Sequence, residues 1–456
     1  MKSIGTHLLM AAISCMVPTV LLADGSPVPT VRLATFRCDV TPPLGGRFAG
    51  GWMQPLTKLE APLWAKGIVL EDEHGRYVLC ALDWCALSGL AHTVFCRELA
   101  EAAGTEISRV AVQSVHQHTA PYVDGDAQAL LDQAERPPTY ADLKSLEALA
   151  ERLGTAVKEA LGKMQPVDRI GTGESRAERI AATRRVLGPD GKVRVRWSSC
   201  TDPELRAAPE GDIDPMLKSI TFARGDKPLV RLHYYATHPQ TGGGDGWVGI
   251  DFVGDARERL ERQEGVMQIY FTGCAGDVTA GKYNDGSPQA RQELAERLLA
   301  AMRASIAATK TAPITAVAWR TLPLALPART DAGFTLEENR AVLANPKSPG
   351  PARVDAASRV AFHERSGRPI QLSVLEIGAV RVLHLPGEPM VEFQQFAQKA
   401  APGCFVAVAG YGDGATGYLC TEESYAQGGY EPTATLVAPN GETVLKGAIR
   451  QLLSRN

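Results

Sequence analysis

The chain has 456 residues, of which 45% are hydrophobic and 22% charged, and this excludes a disordered, collagenous or coiled-coil protein. Lys and Arg total 48 against 51 Asp and Glu, a net charge of −3, which leaves no electrostatic footprint for nucleic acid or an anionic membrane. The 44 Gly and 30 Pro suit many turns between strands, and nine Cys are too sparse for a disulfide scaffold.

Residues 1–23 read as a signal peptide. Lys2 supplies the positive start, Leu8 to Leu22 is mostly apolar, and Ala23 is a small residue for cleavage before Asp24. The apolar run is short for a membrane span. The expected location is therefore secreted or periplasmic. Loss of Cys15 leaves Cys38, Cys80, Cys85, Cys96, Cys200, Cys274, Cys404 and Cys420, open to pairing in an oxidising compartment. Residues 24–456 then form the working part of the chain.

Gly67 to Leu70 and Tyr77 to Leu82 predict a hairpin turning at Gly75. Ala91 to Ala103 predicts a helix stopped by Gly104, Arg109 to Val115 a strand, and Tyr140 to Met164 a long amphipathic helix. Ser219–Arg224 and Pro228–Tyr235 predict a second hairpin. A helix over Asp255–Gln263, capped by Asp255, and a strand over Val266–Phe271 follow. A helix is expected over Ala290–Thr309, then strands over Ile370–Leu375, Val380–Leu385 and Phe405–Ala409. This is an α/β pattern of mixed β-sheets flanked by helices. Polar, Gly-rich segments follow the strands, so the site is expected at the carboxyl ends of strands.

His116-Gln117-His118 follows a strand, and residues two apart on a strand face the same way. Imidazoles so placed suit one metal ion, or equally two loop histidines bonded to backbone. His238 sits at another strand end. Glu388 lies between Pro386 and Pro389, where the stiff backbone pre-positions a carboxylate or a helix start caps one. Two His and a Glu with an open position form a known catalytic zinc set, although nothing in the spacing brings these three together. Gly273 to Thr279 offers glycines for close approach to a ligand. Cys274 there reads as a packing residue rather than a nucleophile. Asp251 reads as an acceptor for a ligand imidazole or as a helix cap. Tyr411, Tyr418, Tyr425 and Tyr430 cluster near the end of a chain with only 11 Tyr.

Together these segments resemble the neutral ceramidases. The matching pieces are Asp39 to Pro43, Ser114 to Pro121, Thr237-His238-Pro239, Gly276 to Thr279, Pro386-Gly387-Glu388, and Gly417-Tyr418 through Glu422-Glu423 to Tyr430-Glu431, in family order. The resemblance implies a zinc-dependent hydrolase of an N-acyl, ceramide-type amide. It places the zinc ligands on His116, His238, Glu388 and Tyr418, and the catalytic roles on His118, Arg184, Tyr430 and Thr279. A zinc-bound water would attack the carbonyl, Tyr430 and Arg184 would stabilise the oxyanion, and His118 would move the proton. The implied partner is a small-molecule or lipid amide.

The sequence departs from the family pattern. Thr279 and Ala280 replace Ser and Pro, Gln117 separates the histidines, Pro121 to Asp124 replaces a small Gly-rich stretch, and no immunoglobulin-like C-terminal domain is expected. Asp124 and Asp126 are expected to face the cleft mouth, and Gly281 to Asp285 to line it. Both stretches favour a more polar amide over a two-chain lipid. The alternatives are a zinc hydrolase of the same fold acting on a more polar amide or ester, and a non-catalytic secreted binding protein.

Overall fold

The computed structural model describes residues 30–45, 56–138, 140–243, 246–365 and 368–454. The segment read as a signal peptide, 1–23, lies outside the described residues. Three units follow one another, each built as three strands, a helix, a fourth strand and a closing helix. In the first these are Val31–Asp39, Trp64–Asp72, Gly75–Leu82, Leu90–Ala103, Val110–Ser114 and Leu143–Leu161. In the second they are Arg169–Arg176, Met216–Arg224, Lys227–Tyr235, Asp251–Glu264, Met267–Thr272 and Pro288–Ala307. In the third they are Val317–Leu324, Ile370–Ile377, Val380–His384, Val391–Ala400, Phe405–Ala409 and Gly441–Leu453.

The sheet order is the same in all three: fourth, third, second, first strand. Strands one to three run antiparallel, and the fourth is parallel to the third after its helical crossover. Each hairpin turns at a glycine in the left-handed region, Gly75, Gly225 and Gly378, a conformation that penalises any Cβ. The helices of each unit pack on one another and cover the sheet. Short strands Gln165–Val167 and Lys310–Pro313 carry the chain to the next unit by extending the first and second sheets.

The three fourth strands meet at their carboxyl ends. Ser114 N donates to Tyr411 O at 2.7 Å, Gly410 N to Thr272 O at 2.9 Å, and the Thr272 hydroxyl to Val115 O at 2.6 Å. These bonds close a ring of three strand tips, and the loops that leave the tips share one place. The site is therefore at strand carboxyl ends, as open α/β sheets require. Between its first two strands the third unit carries the helices Leu336–Ala344 and Gly350–Arg365, where the second unit carries short strands and the helix Pro203–Ala207.

Some boundaries differ from expectation. The long helix runs over Leu143–Leu161, because the Asp142 carboxylate caps Lys144 N and Ser145 N and leaves Tyr140 outside. The helix expected to be capped by Asp255 begins at Asp251. Buried Phe252 and Val253 belong to its inner face, and Asp255 instead pairs with Arg291 at 3.0 Å. No disulfide joins Cys38, Cys80, Cys85, Cys96, Cys200, Cys274 and Cys420, which are buried thiols.

Candidate metal centre

Each unit contributes a loop to the cluster at the strand tips. His116 follows the fourth strand of the first unit, at φ 74°. His238 and Glu388 follow the third strands of the second and third units. Glu388-Pro389 pairs in parallel with Tyr418-Leu419, with Glu388 opposite Tyr418. Two glycines make this packing possible. A Cβ on Gly276 would lie 2.5 Å from Glu388 O, and one on Gly387, at φ 56°, 2.0 Å from the Thr416 hydroxyl.

The ring nitrogens are oriented from behind. His116 Nδ1 lies 2.6 Å from Cys85 O, and His238 Nδ1 lies 2.6 Å from Ala275 O. Carbonyls only accept, so each Nδ1 carries the proton and each Nε2 presents a lone pair. The two Nε2 atoms face each other at 3.1 Å. Glu388 Oε2 lies 3.1 Å from His116 Nε2 and 3.4 Å from His238 Nε2, without a well-directed hydrogen bond to either. The Tyr418 hydroxyl is 3.5 Å from His238 Nε2. A tetrahedron with metal–ligand bonds of about 2.0–2.2 Å has edges of about 3.3–3.6 Å. Lone pairs crowded to that spacing repel unless a cation sits among them, and the donor set of N, N, O and phenol O suits zinc.

Electrostatics agree with a cation-seeking centre. Burial disfavours ionisation of Glu388, but His116 and His238 hold its carboxyl well below the ordinary range. Burial holds the His238 imidazole down at about 4 and drives that of His118 well below its usual value. Burial also opposes a charge on His116, yet Glu388 and Cys85 raise it to about 10. A proton on His116 thus stands where a metal would.

The other expected residues are distributed as follows. His118 Nε2 lies 3.3 Å from His116 Nε2. Arg184 is buried between the rings of Tyr418 and Tyr430, its guanidinium 5.0 and 5.1 Å from their centroids. Its Nε donates to Glu431 at 2.6 Å and its Nη2 to Gly276 O, so those two groups fix its orientation. Tyr430 is 36% exposed and stacks edge-on with Trp197. Thr279 is fully buried, and its hydroxyl accepts from Gly281 N. The Asp251 carboxylate accepts from Thr241 N, the Thr241 hydroxyl and Phe252 N. It orients no imidazole, because Thr241 and its own helix start occupy it.

A cavity of about 300 Å³ opens beside the cluster. His116, His118, Glu388 and Tyr418 bound one end, and Asp124 and Asp355 are on its wall. Asp126 does not join Asp124 there as expected, because Arg365 pairs with it at 3.3 Å. Gly281 to Asp285 is also turned elsewhere. Lys282 binds carbonyls of Arg206 and Ala208, and Asn284 holds Ser198 O. Sequence reasoning missed Cys85, whose carbonyl orients His116, and Tyr411, whose ring stacks on His116 at 4.2 Å. Tyr411 stood out only as one of the clustered tyrosines, and Cys85 acts through its backbone, which leaves no side-chain signal.

No family model matches the sequence, and no curated protein matches it. Solved structures do. A neutral ceramidase from Pseudomonas aeruginosa matches with a TM-score of 0.70 at 18% identity, over 93% of this chain and 74% of that one. A ceramidase complexed with C2 matches with a TM-score of 0.70 at 15% identity, over 93% of this chain and 75% of that one. Three mixed sheets, their helices and the shared strand tips are thus common architecture, and the chain has the fold of the neutral ceramidases.

Proposed function

We propose that the protein is a zinc-dependent amidohydrolase that cleaves an N-acyl bond. The observation that carries this reading is the convergence of His116 Nε2, His238 Nε2 and Glu388 Oε2 within 3.1–3.4 Å. Tyr418 completes the set as fourth ligand. Zinc held by these residues would supply Lewis acidity and activate water as the nucleophile at neutral pH. His118 stands beside the ligands and transfers the proton to the leaving amine. Tyr430 donates to the carbonyl oxygen as charge develops on it. Arg184 lies against both tyrosines and adds positive potential there, held by Glu431. Thr279 supports the strand behind His238, whose N–H donates to Val278 O.

The resemblance to neutral ceramidases supports a ceramide-type amide as substrate. The cavity favours a smaller, more polar N-acyl compound. Its volume is about 300 Å³ and its wall carries Asp124, Asp355 and Ser358. Each CH₂ buried in an apolar cleft contributes about 0.8 kcal/mol, and here the acids interrupt the apolar lining given by Tyr122, Val354 and Leu436. With residues 1–23 as a cleaved signal peptide and 24–456 as one hydrolase domain, the enzyme would act outside the cytoplasm. No helix among the described residues is long and apolar enough to cross a membrane.

Metal analysis of the purified protein, with a substrate panel from long-chain ceramides to short polar N-acyl compounds, tests both parts. One zinc per chain with hydrolysis is expected, with the highest kcat/KM on the short compounds. A protein that binds zinc but cleaves no amide would leave the binding-protein alternative. Preference for long-chain ceramide would overturn the polar reading alone.

A further inference from the structure

We propose that Tyr411 is a positioning residue: its ring, and not its hydroxyl, fixes the plane of the His116 imidazole for metal binding. The inference rests on the reading of His116, His238 and Glu388 as a metal centre. Tyr411 occupies the same place in the third unit that His116 occupies in the first, two residues past the fourth strand. Both are in the left-handed region, at φ 61° and 74°. That region penalises a residue with a Cβ. Glycine stands on either side of Tyr411, at 410 and 412, so a bulky side chain at this position needs a reason of its own.

The packing supplies one. The Tyr411 ring is 3% exposed and lies face to face with His116, at 4.2 Å between centroids and 24° between planes. Its edge relation to His238 is 6.0 Å and 88°. The backbone is tied to both partners of the centre. Tyr411 N donates to Gly387 O at 2.8 Å, next to Glu388, and Tyr411 O accepts from Ser114 N at 2.7 Å, just before His116. Behind it, His116 Nδ1 donates to Cys85 O at 2.6 Å and lies 3.9 Å from Cys85 Sγ, and the rings of His118 and His238 meet it edge-on at 4.9 and 4.7 Å. Tyr411 adds the stacked face, which restrains rotation of the ring about its bond to the Cys85 carbonyl. The hydroxyl is buried without a hydrogen-bond partner among the described residues, so the ring's role is separated from the hydroxyl's by Tyr411→Phe.

The test is zinc affinity, measured by competition with a chelator, alongside the thermal midpoint of the metal-free forms. Tyr411→Phe keeps the stack and should bind zinc within about threefold of the wild type. Tyr411→Gly removes the ring and relieves the backbone, so it should fold and yet bind zinc at least about tenfold more weakly, the usual scale for groups that support a ligand. Tyr411→Asn, which tolerates the left-handed region, is the second ring-free variant and should behave like Tyr411→Gly. Ring-free variants that keep wild-type affinity would overturn the proposal. So would a Phe variant as weak as the Gly variant, which would assign the effect to the hydroxyl. A wild type that takes up no zinc in the same titration removes the metal centre itself and this inference with it.

Discussion

Two buried polar clusters meet at the seams between units, and they are built in opposite ways. One joins Asp83 of the first unit to Arg257 of the second through paired bonds of 2.7 and 2.8 Å. Beside it the fully buried Lys66 holds Glu258 and Glu261 at 2.5 and 2.8 Å. Every charge there has its opposite within reach. The other cluster gathers His116, His238, Glu388 and Tyr418, whose acceptor atoms face one another and whose carboxylate oxygen lacks a proper hydrogen bond. The first is complete as it stands and holds units together. The second turns His and Glu donor atoms toward one another, an arrangement that could hold a cation. Buried polar groups that satisfy one another are structural, and those that converge unsatisfied mark a site.

The comparison is most sharply broken at His238. His238→Ala should abolish both zinc binding and turnover, yet destabilise the metal-free protein less than Asp83→Ala does, because loss of the ring and of its bond to Ala275 O is partly offset by removal of a crowded lone pair. Zinc should raise the thermal midpoint of the wild type and not of the variant. A metal-free variant that is strongly destabilised would make this cluster structural as well.

Asp83→Ala should do the reverse. It leaves Arg257 in the interior with Glu258, at 3.0 Å, as its remaining acidic partner, at a cost of up to about 3–5 kcal/mol, read as a shift in chemical denaturation. Zinc stoichiometry of the folded fraction should be unchanged. A shift below about 1 kcal/mol would mean that Glu258 or solvent compensates Arg257.

The pH dependence should also separate the two sides. On the cavity wall, burial raises the Asp124 carboxyl to about 6. The folded state then holds a proton that the unfolded chain, near about 3.9, releases. This part of the stability is present at low pH and is lost as pH rises from about 4 to about 6. In the paired cluster, burial alone would raise Glu258, but Arg257 and Lys66 hold it below its ordinary value. Its contribution is present above about 4.3 and is lost as pH falls through the lowered value. Asp124→Asn should flatten the stability profile between about pH 4 and 6, while Glu258→Gln should flatten it only at lower pH. Identical profiles for the two variants would refute the distinction.

The smallest effect is expected at Thr279, buried behind the cluster and bonded to Gly281 N. Thr279→Ala should lower kcat/KM less than about tenfold, since the proposed nucleophile is water and no covalent step uses the hydroxyl. A covalent acyl adduct on Thr279 in mass spectrometry would change the mechanism.

The first two hairpins, the glycine turn at 75 and the crossover helices of the first two units were legible in the sequence, because local periodicity acts over a few residues, whereas the turns at Gly225 and Gly378 and the third crossover helix, Val391–Ala400, were not singled out. His116, His238 and Glu388 were legible as candidate ligands by residue type, but Tyr418 and the grouping of all four into one site were legible only as a family pattern. Their spacing carries no information, since His116 and His238 are 122 residues apart. That the chain is three copies of one arrangement was not visible at all. Equivalent positions hold His116, Cys274 and Tyr411, and a sheet order can recur with no residue in common, because burial and pleat constrain chemical class rather than identity. Tertiary structure alone decided which acid faces the cavity, Asp124 rather than Asp126, because Arg365 was near enough to pair with only the second. It also decided that the carbonyls of Cys85 and Ala275 hold the two imidazoles. A backbone oxygen is the same in every residue, so only the fold determines which one meets a ring.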